Sequence, residues 1–511
     1  MKHFRHLFLV ALALSLCLPG RADSFFVDNV VYRVLTSSTV SIERHISSKY
    51  SGNFVIPETV TLLVPSGSES AYETAPAWSE FKNIFACDFI GTTQEGAQLA
   101  ISIINEDEKT AMVTGALDKS ITGDLTIPAE INGYHIIAIG DNAFQSLKIS
   151  SIIISEGVAA IGKSALYRSS IESAKLPHSL ITIDENAFQD CNSLKSIVIP
   201  DNVTYIGNEA FYGCDSLLSI LLPKSLIEIP ESLLAGCGQL RSLNIPQSVE
   251  RMDKSAFDNC DSISSIVVDV NNKIFDSRNN CNAIVETATN TLIRGCGNSK
   301  IDNTITKIGD EAFYDVSGLT SIDIPSSVTS IGSSAFSYSD ITEIIIPSSV
   351  KTIEDYAFYS CKNLSTVILS DGLTTLGASV FDSCISLHEI SIPGTLETIG
   401  GEGGDGMFFN SGLNSVTIRK GVKHIGKYAF CQSPITDIEL PEGITTIGYG
   451  AFMNCSNLRN VKLPESLTTI EDFAFTGSSG IEIITIPKNV TSIGEYNQEI
   501  KGKTNVEIIP V

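Results

Sequence analysis

Twelve cysteines are the residues here most able to do chemistry, and seven of them recur at one spacing. Cys191, Cys214, Cys237, Cys260, Cys361, Cys384 and Cys455 each stand three residues after a phenylalanine or leucine. Such a column invites three readings: disulfides, a metal site, or small buried side chains. Side chains that project in parallel from stacked units suit a disulfide poorly. No C-x-x-C pair offers zinc-ligand spacing. The column is therefore expected to hold free thiols that fill tight space as small apolar groups. Eleven cysteines lie beyond residue 22, an odd number, so at least one has no partner within that part of the chain. Cys281 and Cys296 stand apart from the column, and both a bridge and two free thiols remain open for them.

Other reactive constellations are absent from the sequence. His45, His135, His178, His388 and His424 fall at no metal-ligand spacing, and there is no H-E-x-x-H. There is no G-x-S-x-G elbow and no EF-hand loop. The segment GVKHIGKY, residues 421–428, comes near a phosphate-binding loop but places Tyr428 where a magnesium-binding Ser or Thr belongs. No catalytic residue, cofactor or metal site is assigned, and the chain is not expected to be an enzyme.

Charge narrows the partners. The formal net charge is −24, and removing 1–22 with Lys2, Arg5 and Arg21 takes it to −27. A surface this acidic repels phosphate backbones, so no nucleic-acid partner is expected. Residues 1–22 have the pattern of an export signal: Lys2 and Arg5, an apolar run from Leu7 to Leu18, then Gly20-Arg21-Ala22. Leu16 sits where a small residue would precede a lipidated Cys17, which argues against lipid anchoring. No later stretch is long and apolar enough to span a membrane. A secreted or cell-surface, monomeric protein is expected.

The elements that position these residues repeat. Phe144, Leu166, Phe188, Phe211, Leu234 and Phe257 follow one another at 22 or 23 residues. Phe313, Phe336, Phe358 and Phe381, then Phe430, Phe452 and Phe475, keep the same step, and Met407-Phe408-Phe409 fits one degenerate copy. Each of the fourteen copies reads roughly I-G-x-x-A-F-x-x-C-x-x-L-x-x-I-x-I-P-x-x-V. In residues 206–226, Gly207 suits a turn and Phe211 an interior position. Ile220 and Leu222 alternate as strand residues do, and Pro223 stops the ladder. A single unit of this kind cannot bury its apolar side, so the units must stack.

The phrase IGxxAFxxCxxLxxIxIPxxV over about 130–494 resembles the BspA-type leucine-rich repeats of bacterial surface proteins. The resemblance implies a right-handed leucine-rich solenoid, a surface or secreted location, adhesion to host proteins or other cells, and no catalytic residues. The fold class is thus mainly β with short helical turns, a leucine-rich repeat solenoid preceded by small β-modules.

The expected organisation is a signal over 1–22, a β-module over 23–66 and a short helical or linker segment over 67–97. A second β-module over 98–135 caps the solenoid of 136–511. The early segment carries Tyr72, Trp78 and Phe81 and reads either as a cap of the first β-module or as the remnant of a shortened repeat array, with Trp78 expected to pack in a core rather than serve as a ligand platform. Thirty-three residues are inserted between Val268 and Ile301, and a hairpin near 270–302 is expected to stand off from the stack. Gly400–Gly406 reads as a flexible loop.

In L-x-x-I-x-I-P the residue between the two inward positions faces outward. Down the array that column reads Ile153, Lys175, Val198, Leu221, Asn244, Val267, Asp323, Ile345 and Ile368, then five polar residues. Ile153, Val198, Leu221, Val267, Ile345 and Ile368 form a candidate protein-binding strip, although β-branched residues also favour strands wherever they face. Host extracellular-matrix or other bacterial surface proteins are the expected partners. A carbohydrate-binding or cell-envelope structural role is the alternative, disfavoured by a single tryptophan.

Overall fold

The computed structural model describes residues 83–400 and 406–501, with short strands inside 24–64 and at 507–508. The expected signal, Tyr72, Trp78 and Phe81, and most of the glycine loop, 401–405, lie outside the described residues. Two compact units divide the chain: residues 1–226 with 232–234, and residues 227–231 with 235–511.

The first unit opens with an antiparallel run of Ser24–Val27, Val30–Thr36 and Thr39–His45, to which Thr61–Val64 and Asn83–Ala86 add in parallel. Within the segment expected to be helical or linking, 83–86 and Phe89–Thr92 are therefore strands. Phe89–Thr92, Gln98–Asn105 and Thr110–Ala116 form an antiparallel sheet. Thr110–Ala116 then pairs in parallel with Tyr134–Ile139, beginning the repeat array. Two parallel ladders run on from there. One is Tyr134–Ile139, Ala160–Ile161, Thr182–Ile183 and Tyr205–Ile206. The other is Thr122–Ile127, Lys148–Ile154, Ser173–Lys175, Ser196–Val198 and Ser219–Leu221.

A third hydrogen-bond ladder runs through the A-F turns. The Phe188 N–H donates to Ala210 O at 2.8 Å, and Phe211 N–H to Leu233 O at 3.1 Å. Three ladders per coil answer why so short a repeat is stable. Most backbone polar groups of a coil find partners on its neighbours, and the side chains between them are left to fill the interior.

The turns themselves need backbone that most residues avoid. Asn186 and Asp190, on either side of Phe188, take φ of 58° and 56°. Glu209 and Gly213 flank Phe211 with φ of 56° and 66°. Asn, Asp and Gly tolerate this left-handed region best. One turn, Lys254–Phe257, is wound into a 3-10 helix capped by Asp253. Gly207 serves a different need from the one its sequence context suggests. A Cβ there would lie 2.4 Å from Glu185 N and 2.7 Å from Glu185 Cα. Close approach of the preceding coil requires the glycine.

The second unit repeats the design. Its A-F turns stack ring on ring: Phe313, Phe336, Phe358, Phe381, Phe408, Phe430, Phe452 and Phe475 have successive centroids 5.1–5.5 Å apart and interplanar angles of 12° or less. Phe408 takes the ring position in the degenerate copy. All fourteen phenylalanine or leucine positions of the repeat are buried. Burying each ring stabilises its unit by roughly 1.5–3 kcal/mol relative to exposure.

The insert does not stand off from the array. Thr291–Arg294 pairs in parallel with Lys307–Ile308, and Ile284–Glu286 and Phe275–Asp276 extend the same sheet. The cause is apolar content: Ala283, Ile284, Val285 and Leu292 are fully buried and would face water in a free hairpin. Gly295 sits where other coils carry the phenylalanine, and its N–H donates to Ala312 O at 2.8 Å. A Cβ at Gly295 would strike the Phe313 ring at 2.0 Å.

The ring ladder closes on a side chain. Phe475 N–H donates to Asn497 Oδ1 at 3.0 Å, where earlier coils use a backbone carbonyl.

Candidate binding surface

The residues that could have done chemistry are absorbed by the fold. None of the eleven cysteines of the described residues is in a disulfide, Cys281 and Cys296 included, and ten of the eleven are buried. The column three residues after each ring does more than fill space. Cys191 Sγ donates to Leu166 O at 3.2 Å and Cys214 Sγ to Phe188 O at 3.2 Å. In the second unit Cys361, Cys384 and Cys455 donate likewise to Phe336, Phe358 and Phe430 carbonyls at 3.0–3.1 Å. Ser433 and Ser478 occupy the same position and donate to Phe408 O and Phe452 O at 2.8 and 2.6 Å. The exchange of Ser for Cys down this column was the sequence signal for a donor, since a purely apolar slot would not accept a hydroxyl. Burial pushes the Cys191 and Cys361 thiols up to about 12, so neither is a nucleophile near neutral pH.

GVKHIGKY is an ordinary coil. Val422 and Ile425 are in the core, His424 pairs in register with Thr398 and Thr446, and Gly426 lies against the backbone of Ile399. Among the described residues, no three His, Cys, Asp or Glu side chains gather as a metal site. The buried Arg294 of the insert donates to Phe257 O at 2.9 Å and meets Asp258 at 3.2 Å. Burial raises the Asp258 carboxyl above its ordinary value, against the pull of Arg294. The crevice around Arg294, Cys260 and Cys296 has room for about one water molecule, too little for a substrate.

What the array does offer is its strand face. Alternation buries Ile152, Ile197 and Ile220 and turns Ile153, Val198 and Leu221 outward in the first unit. Val198 and Leu221 pair directly and are 61% and 52% exposed. Ile153 is 38% exposed and is paired with Lys175, which separates it from Val198. In the second unit Ile345 and Ile368 pair directly, 59% and 49% exposed. Val267, at 49%, pairs with Asn244 and has no aliphatic neighbour in its column. The expected strip therefore resolves into two adjacent aliphatic pairs, one in each unit, with Ile153 and Val267 set apart. Beyond Ile368 the column is polar, with Ser391 beside Thr417 and an ion pair between Glu439 and Lys462 at 2.5 Å. Both partners of that pair are largely exposed, so it contributes little to stability.

A second surface feature was not read from the sequence. Tyr428, Tyr449, Phe473 and Tyr496 form an aromatic ladder with centroids 5.4, 5.2 and 4.5 Å apart, and Lys427 lies over the first two rings. The rings come from unequal offsets, two or three residues before the buried ring position, so no single column of the repeat displays them.

A family model described as BspA type leucine-rich repeat region, in six copies, matches residues 124–237, 182–291, 294–403 and 404–500. Among solved structures, a leucine-rich repeat protein from Bacteroides ovatus is 23% identical with a TM-score of 0.50, over 84% of this chain and 98% of that one. The pneumococcal vaccine antigen PcpA is 18% identical with a TM-score of 0.53, over 80% of this chain and 99% of that one. At these identities the likeness is one of fold. No curated protein matches the chain.

Proposed function

We propose, from the premise that the chain belongs to the BspA-type leucine-rich repeat family, that it is an exported or cell-surface scaffold that binds proteins along the strand faces of its coils. The observation that carries this reading is the pair of exposed aliphatic neighbours in each unit, Val198 with Leu221 and Ile345 with Ile368. Apolar side chains turned to water on adjacent strands gain free energy when a partner covers them. Val198 stands on a strand paired on both sides, and Leu221, Ile345 and Ile368 stand on strands each paired with a neighbour, so covering them costs little ordering of the scaffold. Export is supported by Lys2, Arg5 and the Leu7–Leu18 run, and no described helix is long and apolar enough to cross a membrane. The partners fitting this reading are extracellular-matrix proteins of a host or surface proteins of other bacteria, bound by adhesion without catalysis.

The test is binding of the chain beyond residue 22 to a panel of purified extracellular-matrix proteins and bacterial surface extracts. Val198→Ser/Leu221→Ser and Ile345→Ser/Ile368→Ser should keep the circular dichroism and melting of the parent but lose partner binding. Unchanged binding in both double variants would overturn the reading. A carbohydrate-binding role is favoured by one observation, the Tyr428–Tyr496 ladder, because sugar rings stack on aromatic faces. Binding on a glycan array, abolished by Tyr449→Ala and indifferent to the aliphatic variants, would select that role instead.

A further inference from the structure

Outside the aliphatic pair, the strand face of the second unit is arranged by charge. Glu343 and Ile345 leave the same side of one strand, two residues apart. The position of Glu343 repeats in each coil as Thr366, Glu389, Ser415, Asp437 and Asn460. Register pairs Glu343 with Thr366, Glu389 with Ser415, and Asp437 with Asn460. A carboxylate thus stands on every second coil, alternating with a neutral hydrogen-bonding residue. Glu343, Glu389 and Asp437 are all exposed. None of the three is in an ion pair among the described residues, whereas Glu439 in the neighbouring column is answered by Lys462. Asn460 donates to Asp437 at 2.5 Å, and Arg459 stands near enough to favour its charge, so Glu343 and Glu389 are the less compensated pair.

The spacing matters as much as the sign. Paired strands lie about 4.8 Å apart, and the stacked rings of the same coils keep 5.1–5.5 Å where one strand ladder gives way to the next, so carboxylates on alternate coils repeat at about 10 Å. Seven residues of an α-helix rise about the same distance. A helix laid along the stack would bring residues i, i+7 and i+14 over Glu343, Glu389 and Asp437 in turn. Residues at i+3 and i+4 would then fall near Ile345 and Ile368.

We infer that the strand face of the second unit is a docking site for a basic amphipathic helix, with Lys or Arg at heptad intervals meeting Glu343, Glu389 and Asp437 and apolar residues between them covering Ile345 and Ile368. The inference rests on the protein-binding reading above and gives that partner a chemistry. Unlike a general acidic surface, the site sets a period, and so it distinguishes one basic sequence from another.

Synthetic helical peptides test it directly. One carries Lys at i, i+7 and i+14 with Leu at the intervening i+3 and i+4 positions. A second has the same composition with the Lys residues moved to a non-heptad spacing. A third has Glu in place of Lys. Fluorescence anisotropy against the full chain should give binding of the heptad Lys peptide at least about tenfold tighter than the shuffled one, weakening with salt. The Glu peptide should not bind. E343Q/E389Q/D437N should weaken the heptad peptide about tenfold. D107N/E108Q/E130Q, which removes equal charge from the exposed first unit, should not. Equal binding of heptad and shuffled peptides, or equal losses in the two triple variants, would overturn the inference. Partner binding that stays sensitive to Ile345→Ser/Ile368→Ser while the peptides show no preference would sink the helix site and leave the scaffold reading standing. Partner binding insensitive to every strand-face variant would sink both.

Discussion

Replacing Ser478 separates two accounts of the column that runs beside the stacked rings. If the column only fills space, Ser478→Ala is close to neutral, because the methyl fits where the hydroxymethyl did. The hydroxyl, however, donates to Phe452 O at 2.6 Å and accepts from Cys455 N at 3.1 Å, both deep in the core. Without it, those two backbone groups keep only each other, at 3.5 Å. A buried group left without its partner costs about 1–3 kcal/mol. Because the residual contact recovers part of that for each, about 2 kcal/mol is expected for the pair, some thirtyfold in the local opening equilibrium. Ser478→Cys keeps a donor of the kind Cys455 itself supplies to Phe430 O, and should fall within about 1 kcal/mol of the parent. Stacked coils can open locally, so the assay is native-state hydrogen exchange at the amides of 452–458, supported by urea unfolding. Cys361→Ala is the internal control. Phe336 O also accepts from Ser339 Oγ at 2.7 Å, so this loss should stay below about 1 kcal/mol. Equal exchange in Ser478→Ala and Ser478→Cys, or a larger effect at Cys361 than at Ser478, would refute the hydrogen-bond account.

Phe358→Ala should cost about 3–5 kcal/mol by urea unfolding, since the ring is fully buried between Phe336 and Phe381. Phe358→Leu should cost clearly less, because Leu166 and Leu234 fill the same position in other coils. Gly207→Ala should destabilise by at least about 1–3 kcal/mol in thermal melts, because the new Cβ meets Glu185 backbone, which has no rotamer to yield. The thiols predict a pH dependence. Cys191 and Cys361 ionise near 12 in the folded chain and near 9 when exposed. The folded state therefore holds protons that the unfolded state releases, and stability should fall as pH rises from about 9 to about 12. Urea midpoints across that range should decline less steeply in Cys191→Ser/Cys361→Ser, and native thiols should resist alkylation at pH 8.

The ring positions were legible in the sequence because burial demands one bulky apolar side chain per coil, and loop lengths of 22 or 23 residues keep it in phase. The degenerate copy could be placed at Met407-Phe408-Phe409 even beside a glycine-rich interruption for that reason, while the ring stack was needed to single out Phe408. The inserted segment was harder. Its short β-prone runs announced a hairpin, but whether the hairpin joins the array depends on Leu292 and Gly295 meeting neighbours that are remote in sequence. The sequence context of Gly207 suggests a turn, whereas the glycine serves close approach, a distinction that lies in the residue across from it, Glu185. Of the binding strip, the outward direction followed from alternation. The grouping into Val198–Leu221 and Ile345–Ile368 needed the strand register. The Tyr428–Tyr496 ladder escaped because its members share a side of the stack without sharing a repeat position.

Asn497 puts a side-chain amide where the preceding ring-to-carbonyl steps of this unit use backbone. Its Oδ1 answers the Phe475 N–H, and its Nδ2 returns to Glu471 O at 2.9 Å. Replacing Asn497 by Ala would remove both contacts at once, so hydrogen exchange at the Phe475 amide should quicken while the Phe430 amide, held by a backbone carbonyl, keeps its rate.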